Sequence, residues 1–418
     1  MNGPIAPFTL ARVPALRFGL GRAEEAGEYA AEKGYRRLAL VTGERSYQEL
    51  PIAPGLEGGL KKSGIAFRRF IARGEPTAAL VDGIRDELRS GNFSAVLAVG
   101  GGSVIDTGKA VAAMCVHEGS VEEYLEGVGS KKPEGRRLPL IAVPTTAGTG
   151  TEATKNAVLR KVGKNGYKKS LRHEAFVPDL AIIDPLAAIS LPPALTAASG
   201  LDALTQLLEG YVSTGANPLT DALALDGLRR AAKSLPLAVS DGGNRAARAD
   251  MAYAAYLSGI VLANASLGVV HGLAPVLGSL KEAPHGYLCG RLLAGATERI
   301  VERLLDRVAE AADKGAEEEA DRALAALKKY YRAACIVTGE EMTEAFPKMI
   351  PEKIKERIEG MTRMLRRWVE DFTLSPMSDY GFTEENLLCC AASAGLKGTP
   401  VALSAEDIEA IALSSVRA

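Results

Sequence analysis

Two groups of residues in this 418-residue chain are of types and spacings that could do chemistry. The first lies in the second half. The chain holds only four histidines, and two of them, His271 and His285, flank a short loop in GVVHGLAPVLGSLKEAPHGYLCG, each followed by glycine. Two imidazoles so placed suit a shared metal ion. Upstream, in SGLDALTQLLEGYVS, Asp202 and Gln206 are four apart and so share one helix face. A carboxylate in a first helical turn also simply complements the helix dipole. His117 and His173 have no such company and read as surface or core residues.

The second group is built of glycine and hydroxyls. In FSAVLAVGGGSVIDTGK, residues 93–109, an apolar run runs into Gly100, Gly101 and Gly102, then Ser103 and a segment of helical period. A strand feeding a glycine turn and a helix N-terminus presents unpaired N–H groups and the positive end of the helix dipole to an anion. The pattern is neither GxGxxG nor a Walker loop, and a plain tight turn is the structural alternative. A second loop, PTTAGTGTE at 144–152, follows the apolar LPLIAV of 138–143. Thr145, Thr146, Thr149 and Thr151 add hydroxyls that can bond phosphate, ribose or a nicotinamide amide. Two such loops at the carboxyl ends of two buried strands sit where open α/β sheets bind nucleotides.

The elements that must position these groups follow from hydrophobic period. Strands are expected at 36–42, 65–71, 93–99, 138–143 and 180–184, alternating with helices at 22–33, 48–63 and 77–90. That alternation predicts a parallel sheet with right-handed crossovers. After Pro185 the texture changes. Pro192 and Pro193 punctuate a linker, and the period is helical from about 194 onward, with long amphipathic runs at 287–334 and 352–373. The expected division is an α/β dinucleotide-binding domain over 1–188 and an all-helical metal and substrate domain over 189–418.

Composition narrows the partners. Apolar residues make up 47% and charged ones 24%, ordinary for a well-cored protein. A formal net charge of −1 gives nucleic acid or an anionic membrane surface no electrostatic handle. No apolar run approaches a membrane span, and MNGPIAPFTLARVP lacks a signal-peptide core. Five scattered cysteines, none in CxxC spacing, predict buried thiols in a reducing cytoplasm rather than a disulfide framework.

Taken together, the motifs resemble the iron-containing (group III) alcohol dehydrogenase family. The similar segments are GGGSVIDTGK at 100–109, PTTAGTGTEAT at 144–154, VPDLAIIDP at 177–185, LPPALTAASGLDALT at 191–205, EGYVSTGANPLTDALA at 209–224 and APHG at 283–286. The tail, GFTEENLLCCAASA and PVALSAEDIEAI, is similar to the family's closing helices. The resemblance implies a Rossmann-like N-terminal domain and a C-terminal helical domain of the dehydroquinate-synthase-like architecture, with the active site in the cleft between them. It implies that Gly100, Gly101, Gly102 and Ser103 hold the cofactor pyrophosphate, with Asp106 in the same motif. Thr145, Thr146 and Thr149 would then line the path to the nicotinamide. It implies one divalent metal, Fe²⁺ or Zn²⁺, held by an aspartate and three histidines, and Asp202, His271 and His285 match three of those four positions.

Two departures qualify that expectation. The family's histidine four residues after the aspartate is Gln206 here, a neutral amide oxygen that coordinates Fe²⁺ or Zn²⁺ less well than imidazole. Another family histidine, four after the first loop histidine, is Pro275, which has no proton to give. Either a metal binds through Asp202, Gln206, His271 and His285, or the site works without one, as in the family's maleylacetate reductases. At the place of the strand-2 carboxylate that selects NAD, the chain reads Thr42-Gly43-Glu44-Arg45-Ser46. Gly43 leaves room for a 2′-phosphate that Arg45 or Ser46 could bind, which favours NADP(H) over NAD(H); Glu44 argues the other way.

The expected reaction is hydride transfer between a nicotinamide and a small alcohol, aldehyde or ketone, with Asp202, His271 and His285 at the reaction centre. A homodimer or larger homo-oligomer is expected. The alternatives are a metal-independent oxo-acid reductase, a cyclase of the dehydroquinate synthase type, and a non-catalytic nucleotide-binding relic.

Overall fold

The computed structural model describes residues 5–162, 166–341 and 351–417. In the N-terminal part the strands are β1 (Ala15–Phe18), β2 (Arg37–Thr42), β3 (Ala66–Ile71), β4 (Ala95–Gly100), β5 (Leu140–Pro144), β6 (Asn156–Lys161), β7 (Tyr167–Arg172) and β8 (Leu180–Ile183). Between them lie α1 (Ala26–Glu32), α2 (Arg45–Gln48), α3 (Ala53–Lys62), α4 (Ala78–Ser90) and α5 (Gly102–Met114). From Pro193 the described elements are helical: α6 (Pro193–Val212), α7 (Pro218–Ser240), α8 (Arg245–Ala265), α9 (Val270–Leu280), α10 (His285–Lys314), α11 (Glu317–Thr338), α12 (Pro351–Asp371), α13 (Glu384–Ala391) and α14 (Ala405–Arg417), with short 3₁₀ turns among them.

Six strands form one sheet in the order β1-β8-β5-β4-β2-β3, every neighbouring pair parallel. The expected α/β sheet is therefore present. Its central strand shows why the sequence run is apolar throughout. Successive side chains of β4 point to opposite faces, and Val96 and Ala98 enter one core with Ala39, Val41 and Ala142. Ala95, Leu97 and Val99 enter the other with Leu38, Leu40 and Ile141. A strand buried on both faces needs no polar alternation.

Three strands fall outside the expected set. β1 is only four residues long, and its first two residues, Ala15 and Leu16, are exposed. β6 and β7 pair antiparallel as a separate two-stranded ribbon, and their sequences, NAVLRK and YKKSLR, carry basic residues on both faces.

By internal contacts the described chain forms two compact units. One comprises 10–192 and 242–263, so that most of α8 belongs with the sheet. The other takes the described residues among 1–9, 193–241 and 264–418. In the helical unit α6 is almost wholly buried, and α10 packs across it. Gly286 makes that crossing close. A Cβ there would collide with the Ala198 carbonyl and lie 2.9 Å from the Asp202 Cβ. Gly290, one turn on, lies against Leu201 in the same way, with a would-be Cβ 2.6 Å from Leu201 Cδ1. The glycine after His285 thus sets the distance between the helix that carries His285 and the helix that carries Asp202.

In the sheet unit a fully buried lysine fastens the second glycine loop. Lys109 Nζ, on α5, donates to the Thr151 carbonyl at 2.5 Å, Thr154 Oγ1 at 2.9 Å and the Asn156 carbonyl at 3.0 Å. Lys109→Met keeps the stem and strands three buried acceptors. We expect a loss of about 1–3 kcal/mol, read as a lower urea midpoint of the sheet unit by tryptophan-independent far-UV dichroism.

Candidate active site

The two glycine loops lie side by side because of strand register. Gly100 at the end of β4 pairs with Pro144 at the end of β5, and the Thr145 N–H donates to the Gly100 carbonyl at 3.1 Å. Helix α5 starts behind Gly101 with no side chain capping it. Its first N–H groups therefore have no side-chain acceptor at the N-cap. Thr146 and Thr149 lie against Gly101 and Gly102, with a would-be Cβ on Gly102 3.0 Å from Thr149 Oγ1. Asp106, one turn further, points elsewhere. Its Oδ2 accepts the Val158 N–H of β6 at 3.0 Å, and its buried Oδ1 has no protein partner. Burial pushes its carboxyl up to about 6, against the pull of Lys109.

Helix α8 supports the second loop from within the same unit. Gly150 is left-handed (φ 58°), and its backbone meets that of Gly259, while Ser258 Oγ donates to the Gly148 carbonyl at 3.3 Å. Sequence reading did not connect 258–259 to this loop.

At the end of β2 the structure adds two residues that sequence reading missed. Arg69, on β3, donates to Thr42 Oγ1 at 2.7 Å and to the carbonyls of Gly43 and Glu44 at 2.6 and 2.7 Å. Arg73 grips the Glu44 carboxylate with two hydrogen bonds of 2.8 and 2.7 Å, which lower its pKa. The acidic residue beside Gly43 is therefore already paired with Arg73, and the backbone carbonyls of Gly43 and Glu44 are held by Arg69.

The histidines and the aspartate meet in the helical unit. Asp202 on α6 is buried, and its Oδ1 lies 3.4 Å from His271 Nε2 and 3.9 Å from His285 Nε2. The two imidazoles stand edge to face, with centroids 5.4 Å apart. Gln206 is also buried here, its Nε2 donating to Asp202 Oδ1 at 3.4 Å. Two further members were missing from the sequence reading. Cys289, fully buried on α10, puts Sγ 3.7 Å from His285 Nε2 and 3.8 Å from His271 Nε2. One ligand atom from each of Asp202, His271, His285 and Cys289 lies within 4.8 Å of all the others. Glu209, buried on α6, receives His271 Nδ1 at 2.7 Å. The signals were there: Cys289 is four residues after His285, and Glu209 seven after Asp202, each on the same helix face.

The electrostatics follow from this packing. Burial alone would raise Asp202, but the hydrogen bond from His271 and the charges of His285 and His271 outweigh it and hold the carboxyl below its usual range. Burial works against the His271 cation too, yet Cys289, Asp202 and Glu209 together raise it well above the ordinary histidine value. The Cys289 thiol is pushed up to about 12, chiefly by burial. The donor set fits a divalent metal. With Nδ1–H given to Glu209, His271 offers its Nε2 lone pair inward, the arrangement by which a carboxylate fixes the tautomer of a metal-binding histidine. A proton on His271 then occupies the place that a dication would take.

Pro275 lies inside α9. Lacking an N–H, it cannot bond the carbonyl four residues back, and Lys397 Nζ donates to that His271 carbonyl instead, at 3.1 Å. Among the described helices none is by itself long and apolar enough to cross a membrane.

A sheet with a glycine turn at a helix N-terminus, joined in sequence to a helical unit with a carboxylate–imidazole cluster, is the pattern of a nucleotide-dependent oxidoreductase. Residues 14–185 match the family model described as iron-containing alcohol dehydrogenase, and 196–416 match that of the C-terminal part of the Fe-containing alcohol dehydrogenase family. Alcohol dehydrogenase 4 of Saccharomyces cerevisiae (strain YJM789) is 38% identical over 281 residues, 67% of this chain and 72% of that protein. NAD-dependent methanol dehydrogenase of Bacillus methanolicus is 32% identical over 339 residues, 78% of this chain and 87% of that protein. The solved alcohol dehydrogenase from Oenococcus oeni superposes with a TM-score of 0.84 at 26% identity, covering 98% of this chain and 100% of that one. The chain belongs to the iron-containing alcohol dehydrogenase family.

The second loop also carries a titration that can be read directly. Burial pushes the Glu152 carboxyl up to about 7, against the nearby charge of Lys109. A carboxyl whose pKa is raised in the folded chain holds its proton longer than in the unfolded one, so stability falls as pH rises. The window runs from the ordinary glutamate value of 4.5 to about 7. Glu152→Gln is expected to flatten that part of the curve, measured as urea midpoints at both ends of the window; an unchanged slope would contradict it.

Proposed function

We propose that the chain catalyses reversible hydride transfer between the C4 of a nicotinamide and the carbonyl carbon of a small aldehyde or ketone. Residues 1–188 would hold the dinucleotide and 189–418 the reacting oxygen. The observation that carries this reading is the convergence of Asp202 Oδ1, His271 Nε2 and His285 Nε2 in the stretch matched by the family's C-terminal model. Asp202, His271 and His285, with Gln206 or Cys289 beside them, would hold Fe²⁺ or Zn²⁺. Such an ion, when bound, supplies a Lewis acid for the substrate oxygen. The rest is the work of the chain. Glu209 keeps His271 in one tautomer and one orientation. Its side chain 28% exposed, His285 stands at the accessible rim, where substrate enters. With proline at 275, the proton travels through water, a cofactor ribose hydroxyl or a nearby protein hydroxyl.

The pyrophosphate is assigned to Gly100, Gly101, Gly102 and Ser103 at the uncapped start of α5, and the nicotinamide path to Thr145, Thr146 and Thr149. Arg69 at the Gly43 and Glu44 carbonyls and the neighbouring Arg45, with Glu44 paired to Arg73, support NADP(H). The printed name of the Bacillus methanolicus relative supports NAD(H). Gly43→Asp separates them. Its carboxylate would repel a 2′-phosphate and bond a 2′-hydroxyl, once Ser46 has turned away. Losing a charged hydrogen bond of about 1.5–3 kcal/mol should move the NADPH/NADH preference about 10–100-fold toward NADH. No change in the ratio of kcat/KM values would contradict a phosphate site at Gly43. A homo-oligomer in the cytoplasm, acting on small molecules, completes the reading.

One observation favours a second reading, the metal-independent oxo-acid reductase. A cationic His271 could itself polarise a carbonyl. Elemental analysis of protein purified without added metal or chelator decides, together with NADPH and NADH oxidation on an aldehyde panel before and after chelation. Near-stoichiometric Fe or Zn, with activity lost on chelation and restored by metal, supports the first reading. Activity indifferent to chelator, with no bound metal, selects the second. On the first reading Glu209→Gln should weaken metal retention about 10–100-fold, measured by competition with a chromogenic chelator.

A further inference from the structure

The metal-assisted reading leaves open which group completes the donor set beside Asp202, His271 and His285. We infer that Cys289 Sγ, and not the amide of Gln206, is the fourth donor, so that the ion is held by one carboxylate, two imidazoles and one thiolate. The inference rests on that reading and goes beyond it.

Placement is the first argument. His285 and Cys289 are four apart on α10, so they share a face, and the flanking Gly286 and Gly290 press that face onto α6 at Ala198, Leu201 and Asp202. Sγ is equidistant from the two imidazole nitrogens, at 3.7 and 3.8 Å, and sits inside the 4.8 Å cluster with the Asp202 oxygen. Gln206 is oriented differently. Its NH₂ end, which has no lone pair to give a metal, is turned to Asp202 Oδ1 at 3.4 Å.

Chemistry is the second. Thiolate is the softest donor available to the chain, and it favours Zn²⁺ and its spectroscopic substitute Co²⁺ over oxygen-seeking ions such as Mg²⁺ or Mn²⁺. Coordination exchanges the S–H bond for an S–metal bond, and the thiol proton leaves to solvent. No oxidant or reductant is involved. The family histidine absent at 206 is in this way replaced from another helix, by a sulfur anion that also cancels one more positive charge of the ion than an amide would.

X-ray absorption on the unaltered, full-length chain loaded with Zn²⁺ tests this without any variant. One sulfur at about 2.3 Å among N/O donors at about 2.0–2.1 Å is expected. A first shell of N/O donors alone overturns the thiolate while leaving metal-assisted catalysis standing. A chain that binds none of Zn²⁺, Fe²⁺ and Co²⁺ overturns both. The Co²⁺-loaded chain should show a near-ultraviolet thiolate-to-cobalt charge-transfer band. Cys289→Ser should abolish that band while the weaker visible d–d bands persist, and Gln206→Ala should keep it. A charge-transfer band that survives in Cys289→Ser would assign the sulfur to another cysteine and overturn the inference.

Discussion

One buried carboxylate sets the geometry on which the helical site depends. Glu209 accepts the backbone N–H of Val270 at 2.7 Å and that of His271 at 3.3 Å, besides His271 Nδ1 at 2.7 Å. The first two are donors at the start of α9, which otherwise has no side-chain cap. The same anion therefore satisfies the orphan N–H groups of a helix, sits at the positive end of its dipole, and orients the imidazole that the helix presents. Three roles in one group leave little freedom. Moving Glu209 would move the helix and the ring together, and Gly268 lets it sit where a Cβ would lie 2.7 Å from Oε1.

Around that anchor the site is a matter of how closely helices approach. Asp202, Gln206 and Glu209 recur at i, i+4 and i+7 of α6, one continuous stripe. α10 is brought onto that stripe by Gly286 and Gly290. Polar side chains in such a contact are costly unless they satisfy one another, and here each carboxylate finds an N–H or an imidazole. The sheet unit solves the analogous problem with Lys109, whose three acceptors tie the second glycine loop to β6.

How much of this the sequence discloses depends on whether the signal is local. β2, β4, β5 and β8 are legible because strands buried on both faces are short apolar runs bounded by turns. The basic ribbon of β6 and β7 has no such run, and β1 is too short to carry a period. Asp202, His271 and His285 stand out through rarity and spacing. Their partners do not: Glu209 and Cys289 are visible only once the helical register is known, and an isolated cysteine among five scattered ones announces nothing. Arg69 and Arg73 reach the end of β2 because β3 pairs with β2 in the sheet, a neighbour relation that chain order alone does not fix. The contact of α8 with the second loop is likewise a property of packing, since its composition is that of any core helix.

The two departures from the family pattern bear on whether this is a working site or a relic. A site released from constraint accumulates orphaned groups, because nothing selects the second change that repairs the first. Pro275 removes the N–H that would have bonded the His271 carbonyl, and a lysine from a distant loop, itself held at φ 43°, takes that carbonyl. Gln206 cannot match an imidazole as a ligand, yet it is buried and directed onto Asp202, while a thiol from the facing helix lies between the two remaining histidines. Each loss is met by a group from elsewhere in the helical unit. Repair at both positions, with the cluster still converging, is what a site under continued use would show.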